Sequence, residues 1–143
     1  MIFVTGGTGF LGRYLLAVLC RAGHRVRVLT RHPEQHDWLA DFPHFEVVRG
    51  DTTDAEAMMR LIKGCRYVIH AAGLFRFWGD DRDFMQTNVT GTENVLAAAK
   101  ANDVKRVVLI STVAVIGQPH PTDVMDETYP ARPADPYQQS KLD

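Results

Sequence analysis

The sequence predicts a doubly wound α/β fold: a parallel sheet with helices on both faces and strand order 3-2-1-4-5. Short strand-like apolar runs alternate with helical patterns along the chain, and a glycine-rich turn lies directly between the first run and the first helix. The runs are also nearly continuous in apolar residues, as strands covered on both faces must be.

The first strand spans residues 2–5. In the helix after it, Leu11, Leu15, Val18, Leu19 and Ala22 are expected on the buried face, and Gly23 stands where a left-handed cap is wanted. The second strand covers residues 25–30 and the third residues 45–49. A capping box in Thr53, Asp54, Ala55 and Glu56 opens a short amphipathic helix carrying Met58, Leu61 and Ile62, closed by Gly64. The fourth strand covers residues 67–70. A longer helix over residues 83–101 then places Met85, Val89, Val95, Leu96 and Ala99 at helical spacing. The fifth strand covers residues 106–111. Five of the seven prolines lie from Pro119 to Pro136, which predicts an ordered irregular loop after it.

A chain of 143 residues with 45% apolar content suffices for one domain with one core, so a single domain over residues 1–143 is expected. The net charge of −1 and the absence of a basic stripe argue against nucleic acid or a membrane surface as partner, and favour small molecules. Met1 runs directly into Ile2, Phe3 and Val4, with no charged segment before a long apolar one, so a cytoplasmic location is expected. Cys20 and Cys65 lack metal-ligand spacing and read as small buried hydrophobes.

The turn reads Thr5, Gly6, Gly7, Thr8, Gly9, Phe10, Leu11, Gly12. Glycine permits a tight turn and lets backbone approach a pyrophosphate, while the free N–H groups of a helix start favour an anion. Gly6, Gly9 and Gly12 are assigned to that task, with Thr8, Phe10 and Leu11 completing the loop. The spacing, Gly-x-x-Gly-x-x-Gly, resembles the fingerprint of the extended short-chain dehydrogenases/reductases. That group holds sugar-nucleotide epimerases and dehydratases, dihydroflavonol reductases and hydroxysteroid dehydrogenases. The resemblance implies a Rossmann-type NAD(P)-binding domain.

Versions of this fold that take NAD carry an acidic residue at the end of the second strand, whereas NADP calls for a cation. Here that strand ends Val28, Leu29, Thr30, Arg31. Arg31 offers a planar fork to a 2′-phosphate, so NADP is the expected cofactor and NAD the second choice. Arg13 is a further candidate cation; His32 and His36, one turn apart, read as a solvated pair. By resemblance, Asp51 holds the adenine amino group, and Thr52 follows it. Ala71, Ala72 and Gly73 after the fourth strand are small enough for close approach to the cofactor's middle. His70 beside them reads as a packed strand-end residue.

Tyr137 and Lys141 are four apart and so share a helix face, and Asp135 and Pro136 suit the start of that helix. A nearby ammonium favours the phenolate, which lets the phenol exchange a proton with a carbonyl or alcohol. The same ammonium can hold the nicotinamide ribose. The stretch Leu109 to Gly117 resembles the family's strand-end Ser/Thr motif. Alignment on Gly117 puts Thr112 at the hydroxyl that orients the substrate oxygen, with Ser111 the adjacent alternative. Asn88, within Thr87 to Thr92, matches the family's fourth helix. The segment from Leu74 to Gly79 carries Phe75, Phe77 and Trp78, which are expected to line a substrate pocket; this segment is most similar to the dihydroflavonol-reductase-like branch.

The resemblance implies an NADP-dependent oxidoreductase acting on a carbonyl or secondary alcohol. A sugar-nucleotide epimerase or dehydratase with tightly bound NAD, and a non-catalytic nucleotide-binding module, remain open beside it. The resemblance implies that family members continue past this point with a C-terminal substrate-binding region, which is not expected within residues 1–143. They commonly form homodimers through the helices after the fourth strand and at Tyr137.

Overall fold

The computed structural model describes residues 1–76 and 78–143. Five parallel strands form one sheet: β1 (Ile2–Thr5), β2 (Val26–Thr30), β3 (Phe45–Arg49), β4 (Tyr67–His70) and β5 (Arg106–Leu109), in the order β3-β2-β1-β4-β5. This is the predicted order, and β1 sits at its centre, with Ile2 opposite both Val26 and Tyr67. The chain leaves β1 toward β2 and later returns on its other side to β4. The crevice beyond the carboxyl ends of β1 and β4 is therefore the switch point where such folds bind ligands.

Alternate strand residues feed two cores. Ile2, Val4, Val26 and Val28 pack beneath α1 (Phe10–Arg21) with Leu16, Leu19 and Leu39. Phe3, Leu29 and Val68 face the opposite side, against α2 (Ala55–Ile62) and the later helix, where Met58, Ile62, Cys65 and Val95 meet them. Each such fully buried side chain is worth about 1.5–3 kcal/mol of transfer free energy.

The face of α1 matches the expected one at Leu19 but is otherwise rotated from it, with Ala22 exposed. Gly12, Leu16 and Leu19 point inward, while Leu11 and Val18 are 48% and 53% exposed. The glycine turn sets this rotation, because Gly12 must lie flat on the backbone of Gly6 and Gly7, and the helix cannot turn Leu11 inward without losing that approach. Its end is as predicted. Gly23 has φ 71°, and His24 N–H reaches Leu19 O at 3.0 Å while Gly23 N–H reaches Cys20 O at 2.9 Å, the paired bonds of a Schellman cap.

The cap of α2 is one residue later than the capping box suggested. Asp54 accepts the Ala57 N–H at 2.9 Å, a contact worth about 1 kcal/mol, while Thr53 turns both its N–H and hydroxyl to Asp51 Oδ1. Gly64, φ 79°, closes the helix as predicted.

After β4 the chain forms α3 (Asp81–Phe84), a wide turn over Met85–Thr90 with π-type bonding, and α4 (Gly91–Ala101). Phe84, Asn88, Gly91, Val95 and Ala98 face inward, and the expected Met85 and Leu96 are exposed. Val95 and Ala99 are buried as expected, but hydrophobicity alone did not select this face. Asn88 is drawn in by hydrogen bonds, and Gly91 by a packing contact in which a Cβ would stand 2.7 Å from Thr52 Oγ1. The last helix is α5 (Pro136–Leu142). No helix among the described residues is long and apolar enough to cross a membrane.

Candidate active site

The turn after β1 leaves backbone N–H groups free of side-chain partners. Gly6 has φ 68°, and a Cβ there would stand 2.5 Å from the Ala71 carbonyl and the Ala72 nitrogen, so this residue presses directly on the chain leaving β4. Gly9 is the N-cap of α1, with no side chain bonded into the first turn and no acidic residue there. The N–H groups opening the helix are thus left for a ligand, with the helix dipole behind them.

Around this turn lies a cleft of about 380 Å³. Gly6, Thr8 and Gly9 form one wall; Ala71, Ala72 and Gly73 continue it, and Arg31, Asp51 and Thr52 close the far end. Phe10 and Leu11 extend outward from the helix start and Gly12 is buried beneath the turn, so these three do not line the cleft through their side chains. Sequence reasoning had not assigned Gln35, His36, Leu74 and Thr87 to the cleft, yet they also line it. Their places follow from the short 3₁₀ turns after β2, from the irregular segment after β4 and from the wide turn over Met85–Thr90, which no local pattern aims at the cleft.

Arg31 stands at the mouth, its side chain 71% exposed and 4.0 Å from the Asp51 carboxylate. A pair this open is screened and worth little, so the guanidinium is available to a ligand. Asp51 also orders the turn before α2 through Thr53. Arg13 lies over the Trp38 ring at 5.3 Å. His32 bonds Glu34, while His36 meets Trp38 edge-on at 6.3 Å.

The second half of the site comes from α5. Asp135 accepts the Gln138 N–H at 2.7 Å and Pro136 occupies the first turn, the start that the sequence predicts. Lys141 Nζ donates to Ile110 O at 2.9 Å, just beyond β5, and lies 3.7 Å from where a Cβ on Gly73 would be. Burial holds the Lys141 ammonium below its usual pKa. The Tyr137 ring is packed edge-on against Phe75 at 4.9 Å and Phe84 at 6.4 Å. Strand β5 stops two residues earlier than expected, leaving Ser111 exposed beyond its end. Thr112 opens a 3₁₀ turn, its hydroxyl accepting the Ala114 N–H at 3.2 Å.

A second cavity, about 300 Å³, adjoins Tyr137 and is walled by Phe75, Trp78, Phe84, Ala114 and Pro136. Arg76 also lines it, pairing with Asp83 and lying over the Phe84 ring at 5.7 Å. Phe77, expected with these aromatics, lies outside the described residues.

Polar side chains hold the two halves together. Asn88 Oδ1 accepts from Leu74 N–H at 2.7 Å, and its Nδ2 donates to Leu74 O and to Ser140 Oγ. Ser140 in turn donates to Tyr137 O at 2.8 Å. Ser140 carried no assignment from the sequence, and Thr5 and Thr92 were read only as members of the glycine turn and of the polar run Thr87 to Thr92. His70 is 1% exposed, in keeping with its reading as a packed strand-end residue.

Burial, reinforced by the Lys141 charge, pushes the His70 ring down from 6.5 to about 4. Because the folded ring titrates below the unfolded one, the unfolded chain binds more protons as pH falls. Stability is therefore expected to be full at pH 7 and to drop by about 3 kcal/mol as pH falls through the window from 6.5 to 4. Urea midpoints for the parent and His70→Phe across that range check this: the loss assigned to His70 is the part the variant lacks, and equal slopes would refute it.

An open parallel sheet with a glycine turn at its switch point, and a helix carrying tyrosine and lysine at the same edge, define a dinucleotide-binding α/β protein. The chain belongs to the NAD dependent epimerase/dehydratase family, which it matches over residues 2–143. It is 38% identical over 128 residues to the 4-hydroxy-2-methyl-3-oxo-4-farnesyl-3,4-dihydroquinoline-1-oxide ketoreductase of Stigmatella aurantiaca, covering 90% of this chain and 38% of that protein. Among solved structures, it is similar to a short-chain dehydrogenase/reductase superfamily protein of Agrobacterium tumefaciens with bound NAD, at 33% identity and a TM-score of 0.84. That likeness covers 99% of this chain and 42% of the other. It also resembles the Bordetella bronchiseptica enzyme WbmG in complex with NAD and UDP, at 29% identity and a TM-score of 0.87, over 98% of this chain and 46% of that one. The chain thus spans less than half the length of these relatives.

Proposed function

We propose that this chain is the cofactor-binding part of an NADP-dependent oxidoreductase that acts on a carbonyl or secondary alcohol, with Tyr137 exchanging the proton. The observation that carries this reading is the meeting of the two halves: Lys141 Nζ lies 2.9 Å from Ile110 O and beside Gly73, which lines the glycine-turn cleft. The residues fit a dinucleotide, since Gly6, Gly9 and Gly73 leave the backbone bare along one wall and the start of α1 has no side-chain cap. A nicotinamide bound there would give or take the hydride.

The rest of the chemistry belongs to this chain's side chains. Arg31 and Asp51 would hold the adenosine end, and the start of α1 the phosphates. Tyr137, one helical turn before Lys141 on α5, would pass a proton to a developing alkoxide, with Thr112, or Ser111 next to it, orienting the substrate oxygen. The aromatic cavity beside Tyr137 suits an apolar carbonyl compound, and the likeness to a ketoreductase agrees with it.

An epimerase or dehydratase that retains NAD is the second reading, supported by the likeness to a protein solved with NAD and UDP. It differs in showing no net consumption of NADPH. The test of the cofactor is thermal unfolding of the parent and Arg31→Ala with saturating NADP or NAD. The parent is expected to bind NADP about tenfold more tightly than NAD, and the variant to lose that preference, since a charge-assisted bond at an open site is worth about 1.4 kcal/mol. Tighter binding of NAD by the parent would overturn NADP and favour the second reading.

A further inference from the structure

His70 lies at the carboxyl end of β4 between two threonine hydroxyls, its Nδ1 2.6 Å from Thr5 Oγ1 and its Nε2 3.0 Å from Thr92 Oγ1. Each hydroxyl has a single hydrogen, and the surrounding backbone decides where it points. Thr92 Oγ1 is 2.6 Å from the Asn88 carbonyl, which can only accept, so Thr92 donates there. The imidazole must then be the donor to Thr92, which puts the hydrogen of the neutral ring on Nε2. Nδ1 is left as an acceptor, so Thr5 donates to it and keeps a lone pair for the Ala72 N–H, 3.1 Å away.

The chain of bonds has one direction. It runs from Ala72 N–H through Thr5 into His70, and from His70 through Thr92 to the carbonyl of Asn88. The Asn88 side chain carries it onward through Ser140 to the carbonyl of Tyr137. One end is backbone that lines the cleft; the other is the helix holding Tyr137 and Lys141. An imidazolium would break the chain, because Nδ1–H would face the Thr5 hydroxyl and leave its hydrogen without an acceptor.

We propose that His70 is a positioning residue: fixed as the Nε2–H tautomer, it locks the Ala72 backbone of the cofactor cleft to the wide turn whose Asn88 anchors the Tyr137–Lys141 helix. The functional half of this rests on the cleft being the dinucleotide site. No proton passes through the ring in turnover. Burial, with the Lys141 ammonium from α5 as the charged group acting on it, keeps the ring neutral at neutral pH. The groups from β1 and α4 that touch it, Thr5 and Thr92, carry no charge.

Two measurements on this chain decide it. Long-range ¹H–¹⁵N spectra of histidine-labelled protein at neutral pH should show His70 as Nε2–H; an Nδ1–H tautomer or an imidazolium overturns the proposal. NADP affinity and amide exchange are then compared in His70→Phe, His70→Asn and Thr92→Val. His70→Phe should weaken NADP about tenfold and speed exchange at Ala72 and over residues 137–142. His70→Asn keeps an acceptor for Thr5, and should recover most of the affinity while the α5 amides stay fast. Should His70→Phe fail to fold, Thr92→Val carries the test, with exchange over residues 137–142 rising about tenfold. Parent-like affinity and parent-like α5 protection in a folded His70→Phe would make His70 a core residue only. If the parent binds neither NADP nor NAD, the cofactor reading falls, and tautomer and α5 exchange decide the role of His70 without it.

Discussion

Gly12→Ala is expected to destabilise the chain by about 3 kcal/mol, the upper end for overpacking, and to abolish dinucleotide binding. A Cβ on Gly12 would stand 2.1 Å from Gly6 O and 2.6 Å from the Gly7 backbone, where no flexible side chain can move aside. Gly6 cannot retreat, because it is itself pressed on the Ala71–Ala72 backbone with φ 68°. Relief therefore requires α1 to lift off the sheet, which opens the packing of Leu16 and Leu19 and spreads the N–H groups that face the cleft. Gly23→Ala is the control: φ there is also positive, at 71°, but nothing lies within 4 Å of the added carbon, so only the left-handed backbone is penalised, by about 1–2 kcal/mol. Melting temperatures should separate the two variants by several degrees, and NADP should stabilise Gly23→Ala and not Gly12→Ala. Equal melting points, with NADP bound by both, would refute the close-approach argument.

The contrast between these two glycines also explains what the sequence revealed. Gly23 was legible because a helix end is a local signal, and so were the strands, since Ile2, Phe3, Val4 and their counterparts are apolar runs bounded by turns. The glycine turn was legible from its place between strand and helix. Helix rotation was not. Leu11 and Val18 are as apolar as Leu16, and only the contact of Gly12 with a turn five residues away settles which of them faces the sheet.

The same limit applied to the site. Asp135 and Pro136 mark the start of α5 locally, but Ser140 reads as an ordinary helix residue until Asn88, 52 residues earlier, is brought to 2.9 Å from it. Asn88 itself broke the apolar pattern of its helix; Val95 and Ala99 were placed correctly on the inward face, but Met85 and Leu96 were not. A polar residue on a buried face has to be explained by its partners, and here the partners are the backbone of Leu74 and the Tyr137 helix. That helix face was chosen by satisfied hydrogen bonds as much as by apolar burial.

Those partners also make Tyr137 a clean place to separate chemistry from structure. Tyr137→Phe keeps the ring that packs on Phe75 and Phe84, and keeps the carbonyl that accepts from Ser140. Only the O–H is lost. Turnover of a carbonyl substrate with NADPH, in the protein that carries this chain, is expected to fall about 10³-fold, the usual worth of a positioned proton donor, with NADP affinity unchanged. Lys141→Met should differ, because it keeps the phenol and removes the ammonium beside Gly73, so cofactor affinity is expected to fall together with turnover. Side-by-side kcat and Kd measurements distinguish the two patterns. Turnover within tenfold of the parent in Tyr137→Phe would remove the phenol from the reaction and leave the cleft as a nucleotide site whose chemistry lies elsewhere.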